Sequence, residues 1–241
     1  MKKICGFRPT GRLHLGHYFS VVLPARAGDV DVLVADLHAP ELVGHDKVTA
    51  MANGVATLVR LGVPRERISC QANGFNTRLF ARLLALAPMG QLERMTQYKC
   101  AKDRDRTAHL LTYPVMMAVD IDGYDEVLVG EDQGQHVEFA RDLLVKAGRT
   151  RIPKAKVVGG RIRDLRNPAK KMSKSSPEGC LFLDDSAADI RRKIKRATTT
   201  TDGLENLEFL YREFVGGEVP QLASDLKTEL ADAIIRTLEA K

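Results

Sequence analysis

Four short apolar segments, at residues 4–7, 30–35, 68–71 and 126–129, alternate along the chain with longer segments of helical periodicity. This alternation is typical of an α/β fold in which the strands form one mostly parallel sheet. A parallel sheet needs a crossover between neighbouring strands, and the helical segments are long enough to supply one. The sequence therefore predicts a doubly wound parallel sheet.

The helical segments differ in how clearly their periodicity appears. Apolar side chains recur on one face at residues 48–62 and at residues 137–147, so both are expected to be amphipathic helices. Three further helices are predicted at residues 77–86, 91–101 and 107–121. All three lie between the third strand and the fourth.

Beyond Leu183 the pattern changes to helices alone. Ser186 and Asp189 have the spacing of a capping-box start, and apolar residues at i, i+4 spacing mark a last helix over residues 226–238. Residues 204–241 are expected to form two or three short helices. We therefore predict a nucleotide-binding catalytic domain over residues 1–183 and a small helical domain over residues 184–241.

The composition excludes several classes of protein. The chain is 44% hydrophobic and 28% charged, which is ordinary for a globular protein. No apolar run reaches the roughly 18 residues of a membrane span, and the N-terminus becomes polar too early for a signal peptide. The four cysteines form no Cys-x-x-Cys pair, which disfavours a zinc ribbon, a thioredoxin-type site and a disulfide scaffold. A reduced, cytoplasmic protein without a membrane anchor is expected.

The positive charge is concentrated in one part of the chain. The formal net charge is +6, yet residues 149–196 alone carry +10 and the remaining residues carry −4. Such a segment suits a polyanionic partner. It also suits a solvated basic surface, and charge alone does not separate the two interpretations.

A first candidate site follows the first strand, where Thr10 and Gly11 form a turn before His14, Gly16 and His17. In a doubly wound sheet this is where nucleotides bind, because a glycine lets the backbone approach a phosphate and a helix N-terminus faces the anion. Two imidazoles can donate hydrogen bonds to phosphate oxygens. The alternative is a pair of surface histidines near a turn.

A second candidate site is the Lys-Met-Ser-Lys-Ser sequence of residues 171–175. Two lysines and two hydroxyl groups in a loop flanked by Pro and Gly can act as a mobile cationic clamp on a phosphate chain. A solvated lysine is the alternative for Lys174. It is disfavoured because Lys170, Lys171 and Lys174 repel one another within one loop.

The two sites together resemble the two signature sequences of class I aminoacyl-tRNA synthetases, which grip ATP while an amino-acid carboxylate attacks the α-phosphate. The resemblance covers about residues 3–200, and within it the chain is similar to the tryptophanyl-tRNA synthetases. The segments that carry this similarity appear in the family's order, at residues 8–18, 36–39, 113–121, 129–136 and 161–165. The resemblance implies a Rossmann-like parallel sheet with inserted helices, at about residues 77–113, and a small C-terminal helical segment.

Two positions favour tryptophan over tyrosine. Tyrosyl-tRNA synthetases usually carry Gln where this chain has Met117. They also tend to carry Gly-Gly-x-Asp-Gln where residues 129–133 read Val-Gly-Glu-Asp-Gln. Both departures point to the tryptophan enzymes.

The expected amino-acid pocket suits an indole ring. An indole N–H only donates, and Asp120 on an otherwise apolar helix can accept from it, while Met117 offers a soft contact to an aromatic face. The resemblance adds Tyr113, Gln133 and His38 to the tryptophan-binding residues. Asp120 could instead pair with a nearby Arg at a helix end, and Met117 could be plain core packing.

The resemblance also implies which residues handle ATP. His14, His17, Lys171 and Lys174 are the catalytic candidates, because they can stabilise charge that develops on the phosphates. No general base is needed, since the attacking carboxylate is already ionised. Magnesium is expected to arrive with ATP and to be held mainly by phosphates, with no protein cage for a metal. The expected ATP-binding residues are Arg8, Pro9, Thr10, Gly16, His17, Gly130, Glu131, Asp132, Ile162, Lys171, Met172, Ser173, Lys174 and Ser175.

The implied activity is ATP-dependent conversion of L-tryptophan to tryptophanyl-adenylate and its transfer to tRNA(Trp), by a homodimer that pairs through residues 77–113. Family members are usually longer, and the missing length is expected after the signature loop, where the anticodon is read. Two alternatives stay open. One is a paralogue that adenylates tryptophan or an analogue for a non-tRNA acceptor. The other is a non-catalytic tRNA-binding module, disfavoured because both ATP signatures look intact.

Overall fold

A parallel sheet forms the centre of the molecule. Within residues 1–160 and 162–239, which the computed structural model describes, five strands pair in the order β3-β2-β1-β4-β5, and every pair is parallel. The prediction of an α/β Rossmann-like sheet is thereby confirmed. The strands are β1 (Lys3–Phe7), β2 (Val30–Val34), β3 (Ile68–Cys70), β4 (Glu126–Val129) and β5 (Lys154–Val157). The first four lie where the sequence predicts strands, whereas β5 was not predicted.

The first helices of the chain follow β1 directly. Between β1 and β2 a helical stretch has a π-helical centre at Tyr18–Val22, flanked by α1 (Leu15–His17) and α2 (Leu23–Arg26). The other α-helices are α3 (Gly44–Arg60), α4 (Gln71–Gly74), α5 (Thr77–Leu86), α6 (Met89–Leu92), α7 (Thr96–Cys100), α8 (Ala108–Asp120), α9 (Gly134–Lys146), α10 (Ala187–Lys195), α11 (Thr201–Phe214) and α12 (Ala223–Glu239).

None of the described helices combines the length and apolar character that crossing a bilayer requires.

The inserted helices differ in one respect from the prediction. The single helix expected over residues 91–101 is two short helices, α6 and α7. They are separated at Met95, whose backbone is extended and whose side chain is buried in the core of this half of the molecule. Burial of one apolar side chain is worth about 1.5–3 kcal/mol, more than the continuation of a short helix.

The two faces of the sheet carry separate apolar cores. One core joins the inserted helices α5 and α8 with α9. The other joins α3 and the β1–β2 helices with α10, α11 and α12, so the C-terminal helices pack directly on the nucleotide-binding half. Arg60 fastens this contact, because its guanidinium donates to the carbonyl oxygens of Leu183 and Leu238, each at 2.6 Å.

The C-terminal segment forms two helices, of 14 and 17 residues, where two or three short ones were expected. Helix α10 begins at the predicted cap, with the Ser186 side chain accepting from the Asp189 backbone N–H. Ala240 and Lys241, at the end of the predicted C-terminal domain, lie outside the described residues, as does Arg161.

The sheet directs four loops to one edge. Since all strands are parallel, the segments after β1, β2, β3 and β4 emerge at the same side, and β1 lies beside β4 at the point where the strand order reverses. In open α/β sheets ligands bind at this reversal. Both the predicted ATP residues and the predicted tryptophan residues lie on these loops or beside them.

Candidate active site

His14 and His17 form a neutral pair of donors at the start of α1. The Gly16 N–H donates to His14 Nδ1 at 3.0 Å, and the His14 backbone N–H donates to His17 Nδ1 at 3.2 Å. Because each Nδ1 accepts, the proton of each ring must be on Nε2. Burial, helped by the charges of Lys174 and Lys171, lowers the pKa of His14 to about 4, and burial lowers the pKa of His17 well below its usual value. Both rings can thus donate from Nε2 to a phosphate without carrying charge.

Gly16 is required by this arrangement. A Cβ at this position would lie 2.7 Å from His14 Cε1 and would push the ring from its capping position. The glycine between the two histidines therefore serves the imidazole as well as any phosphate that approaches the backbone.

The signature loop is anchored at both ends. Met172 donates its N–H to the carbonyl of Ile162 at 2.8 Å, and Leu165 donates its N–H to the carbonyl of Gly179 at 2.9 Å. The side chains of Ile162 and Met172 are each only 2% exposed and belong to the core. Their predicted contacts with ATP therefore involve the backbone, or else a rearrangement, and remain predictions.

Asp164 shapes the base of the loop from a buried position. Its Oδ1 accepts N–H groups from Arg166 at 2.8 Å and from Asn167 at 2.9 Å. Gly179 lies so close that an added Cβ would come within 1.9 Å of the same oxygen. The turn that precedes the signature loop thus depends on a glycine on the far side of the loop.

The two lysines of the loop reach opposite sides of the β1–β4 junction. Lys174 Nζ donates to Thr10 Oγ1 at 3.2 Å, and Lys171 Nζ lies 2.9 Å from Asp132 Oδ1. Burial, with the charge of Arg8 adding to it, lowers the pKa of Lys174. Partial burial would raise the pKa of Asp132, but the hydrogen bonds from Lys171 and Gln133 outweigh it, and the pKa lies below its usual value. The loop thus lies across the edge where the first and fourth strands end.

Asp120 is the centre of a buried polar group. Its Oδ2 lies 2.9 Å from His38 Nε2, and Gln71 Nε2 donates to Oδ1 at 2.8 Å and to Oδ2 at 2.9 Å. Burial raises the pKa of Asp120, and the hydrogen bonds from His38 and Gln71 partly oppose this rise. The alternative in which Asp120 pairs with an arginine is wrong, because its partners are an imidazole and an amide.

Tyr113 connects this group to the loop after β4. Its ring packs against His38 at 4.2 Å between centroids and against His136 at 5.2 Å. His136 Nδ1 lies 3.2 Å from Gln133 Oε1, and Gln133 Nε2 donates to Asp132 at 3.1 Å. A continuous set of contacts therefore runs from the predicted tryptophan pocket to the carboxylate that holds Lys171.

The predicted residues converge on one edge of the sheet but differ in exposure. Arg8, Glu131 and Asp132 are exposed, Pro9 and His38 are buried, and most others are intermediate. The half-buried residues are Thr10, His14, Gly16, His17, Tyr113, Met117, Asp120, Gly130, Gln133 and Lys174, while Lys171, Ser173 and Ser175 are exposed. Ser173 and Ser175 bond each other at 3.0 Å. Met117 packs against the insertion core.

Two residues of the site were not predicted. Gln71 directly follows β3, and a polar residue at the end of a parallel strand was the available signal. His136 lies in the motif at residues 129–136 but was not assigned a role. Arg161, in the motif at residues 161–165, lies outside the described residues.

The basic segment, residues 149–196, presents less positive charge on the surface than its sequence suggests. Arg191 pairs with Asp232 at 2.9 Å, and Arg192 pairs with Glu178 at 2.7 Å. Lys193 is buried and lies 2.6 Å from Asp185. The charge on α10 is therefore largely balanced by carboxylates.

The insertion buries more of its apolar side chains than the sequence suggested. Leu79, Leu83, Leu92 and Met95 lie in the segment that was expected to pair, yet they are buried within the chain. Phe80, Leu86, Leu110 and Leu111 are half-buried, whereas Leu84 and Met89 are 37% and 57% exposed. The surface available for pairing through residues 77–113 is correspondingly small.

The donor set suits a metal that is held by phosphates. Among the residues that the structure describes, no three His, Cys, Asp or Glu side chains come together as a metal cage. The site instead gathers cations and N–H donors. It therefore fits magnesium that is coordinated chiefly by a nucleotide.

The chain is similar to proteins of a known family. A family model described as tRNA synthetases class I (W and Y) matches residues 1–240. Tryptophan–tRNA ligase 1 of Streptomyces coelicolor is 34% identical over 278 residues, which cover 97% of this chain and 82% of that protein. That aligned stretch is longer than the 241 residues of this chain, so the relative has residues within the matched region that this chain lacks.

Solved structures agree on the fold. Tryptophanyl-tRNA synthetase from Mycoplasma pneumoniae matches with a TM-score of 0.81 and 27% identity, over 98% of this chain and 85% of that chain. Tyrosyl-tRNA synthetase from Aeropyrum pernix matches with a TM-score of 0.78 and 25% identity, over 99% and 84%. The backbone is common to enzymes for both amino acids, so the choice between them depends on side chains.

Proposed function

This chain belongs to the class I tRNA synthetases of the tryptophan and tyrosine family, and from that premise we propose that it activates L-tryptophan with ATP and transfers the tryptophanyl group to tRNA(Trp). The observation that carries the choice of tryptophan is Asp120, whose buried carboxylate contacts His38, which packs in turn on the ring of Tyr113. An indole N–H is a donor with no acceptor function, and it suits a site that offers acceptors. The similarity to a tryptophan–tRNA ligase over nearly the whole chain supports the same choice.

Adenylation requires that the tryptophan carboxylate and the α-phosphate of ATP be held in position and that developing charge be stabilised, more than it requires a proton transfer. A carboxylate oxygen of tryptophan forms a bond to the α-phosphorus of ATP. The bond from that phosphorus to the bridging oxygen breaks, and its electron pair leaves with pyrophosphate. The Nε2–H groups of His14 and His17 donate to phosphate oxygens as negative charge moves towards the leaving group.

The two loop lysines act on the same charge. Lys174 lies beside Thr10, in the loop after β1, and is oriented by that hydroxyl. Lys171 reaches a phosphate by exchanging its contact with Asp132 for one with the nucleotide. Both are proposed to stabilise the transition state more than the bound substrates, and so to raise kcat more than they lower KM.

Magnesium would be bound mainly by the phosphates of ATP, beside the cations of the signature loop. It would neutralise part of the triphosphate charge and favour departure of pyrophosphate. The chain's own hydrogen-bond donors orient the α-phosphate and the carboxylate.

For tRNA, we propose contacts near the active-site loop more than at the anticodon. The segment of residues 149–196 surrounds the loop, and Arg191, Lys195 and Arg196 are exposed cations on or beside α10, of which Arg191 is paired with Asp232. Phosphate contacts give affinity with little sequence information.

We also propose that residues 1–183 form the catalytic part of the chain and residues 184–241 a reduced helical part. The reaction is proposed to take place in the cytoplasm, where tRNA is charged.

A homodimer that pairs through the insertion is also proposed. Its support is the pair of exposed apolar side chains Leu84 and Met89 beside the half-buried Phe80. The small area implies a weak association, so the measured mass should depend on concentration.

The deciding experiment is pyrophosphate exchange with each of the twenty amino acids, followed by acylation of total tRNA. Exchange with tryptophan and acylation of one tRNA would support the proposal. Exchange with tryptophan but no acylation would select a paralogue that serves another acceptor, and no exchange with any amino acid would select a non-catalytic tRNA-binding module.

A further inference from the structure

We propose that Gln71 is the positioning residue that holds Asp120 for the ring N–H of the substrate, and that it thereby sets the preference for an indole over isosteric rings without an N–H. The inference rests on the proposed function and deepens it. Gln71 touches Asp120 and not the reacting atoms, so it is not a catalytic residue.

The orientation of Gln71 is determined by two different partners. Its Oε1 accepts the backbone N–H of Leu37 at 3.0 Å, which requires the amide nitrogen to point the other way. That nitrogen donates to both oxygens of Asp120, at 2.8 and 2.9 Å. Gln71 is only 2% exposed, so water does not compete for these bonds.

These hydrogen bonds leave one acceptor position of the Asp120 carboxylate unused. Oδ2 accepts from Gln71 and from His38, whereas Oδ1 accepts from Gln71 alone. Each carboxylate oxygen can accept about two hydrogen bonds, so the free acceptor position is on Oδ1. An incoming ring N–H therefore meets one oxygen in one orientation.

His38 adds a second acceptor to this group. Its Nε2 faces the carboxylate, and its Nδ1 is buried and has no hydrogen-bond partner within the described residues. In the neutral tautomer that donates from Nε2, this Nδ1 keeps an acceptor lone pair. The group formed by Gln71, Asp120 and His38 then offers two acceptors, Asp120 Oδ1 and His38 Nδ1, to a ligand that brings a donor.

The charges around Asp120 make the Gln71 amide important. Asp36 is a second buried carboxylate nearby, with Lys47 Nζ 3.4 Å from its Oδ2. Burial and the Asp36 charge both favour the protonated form of Asp120, whereas His38 and Gln71 favour the ionised acceptor form. Without the Gln71 donor the carboxylate is freer to rotate and easier to protonate, and both changes weaken its acceptance of an N–H.

The test compares Gln71→Met with the wild type on two substrates in pyrophosphate exchange. L-tryptophan has the ring N–H, and L-3-benzothienylalanine has sulfur in its place with nearly the same shape. The wild type should prefer tryptophan by about 10-fold or more in kcat/KM, because the analogue leaves the acceptors unpaired. Gln71→Met should lose most of that preference, through a higher KM for tryptophan and little change for the analogue.

Gln135→Met is the matched control, because Gln135 also accepts a backbone N–H, that of Thr96 at 2.8 Å, and is exposed. It should keep the wild-type preference. Equal losses on both substrates in Gln71→Met would overturn the inference in favour of a purely structural role, and an unchanged preference would also overturn it. A wild type that activates neither substrate would instead refute the proposed function.

Gln71→Glu supplies a second readout through pH. Two adjacent carboxylates share one proton, and only a protonated Glu can donate to Asp120. Activity with tryptophan should therefore rise towards the wild-type value as the pH is lowered and be lost as it is raised, while Gln71→Met shows no such recovery. The same pH profile in both variants would contradict a positioning role.

Discussion

Replacement of Gly179 by alanine tests how the base of the signature loop is built. The new Cβ would lie 1.9 Å from Asp164 Oδ1 and 2.3 Å from its Cγ, so the buried carboxylate has to move by more than 1 Å. It would then lose at least one of its bonds to the Arg166 and Asn167 N–H groups. Loss of a hydrogen bond to a buried charged group costs about 1.5–3 kcal/mol.

For a domain of this size each kcal/mol lowers Tm by about 2–4 °C, so Gly179→Ala should lower Tm by about 3–12 °C. Because the loop lysines are carried on this base, a displacement of about 1 Å should reduce the rate of tryptophan-dependent pyrophosphate exchange by up to about 100-fold. Differential scanning calorimetry and exchange kinetics measure the two effects. Gly74→Ala is the control, since nothing lies within 4 Å of its Cβ position.

A double mutant separates the clash with Asp164 from any other effect of the glycine. If the clash with the Asp164 carboxylate is the cause, Gly179→Ala should cost almost nothing further in an Asp164→Ala background. A cost that is equal in both backgrounds would refute the reasoning and locate the effect of the glycine elsewhere.

Four further predictions concern the site and the assembly. Lys174→Ala should lower kcat for adenylation with little change in the KM for tryptophan, because the lysine acts on phosphate charge; exchange kinetics at varied tryptophan decide this. Asp120→Asn should weaken tryptophan binding by roughly 1–2 kcal/mol and leave ATP binding unchanged; because the chain contains no Trp, fluorescence of added L-tryptophan reports binding directly. The pKa of His14 is lowered to about 4 in the folded chain, so the unfolded chain binds this proton at a higher pH than the folded chain does. Tm should therefore fall as the pH is lowered from about 6.5 towards 4, and His14→Gln should reduce that dependence. Sedimentation should give a mass above 26.6 kDa that rises with concentration, and Met89→Glu should return it to the monomer; a constant monomer mass would exclude the dimer.

The first four strands of the sheet and the start of α10 were predictable because their signals are local. Residues 30–34 form a strand of Val and Leu interrupted only by Asp31, and Ser186 and Asp189 have the spacing of a helix cap. Strand β5 was missed for the opposite reason. Its sequence is Lys-Ala-Lys-Val, all four residues are exposed, and only its pairing with β4 makes it a strand. No periodicity within four residues could indicate that.

The remaining differences come from partners that are distant in sequence. Arg191 is balanced by Asp232, 41 positions later, so a count of charge along one segment overstates the cationic surface. Gln71 was not singled out because a polar residue at the end of a strand is too weak a local signal to select it. Its role emerges only when the fold places it 2.8 Å from Asp120, 49 positions later.

The anchors of the signature loop also have a kinetic consequence. Met172 is tied to Ile162 and Gly179 to Leu165, and Leu183 is tied to Leu13 beside the first histidine. Residues 173–178, between the two loop anchors, are held by side-chain contacts of Lys174 with Thr10 and of Glu178 with Arg192. Conformational changes of catalytic loops take microseconds to milliseconds, and in many enzymes they limit turnover. The exchange of these contacts for contacts with a phosphate chain is therefore a step of each catalytic cycle, and its rate enters kcat together with those of chemistry and product release.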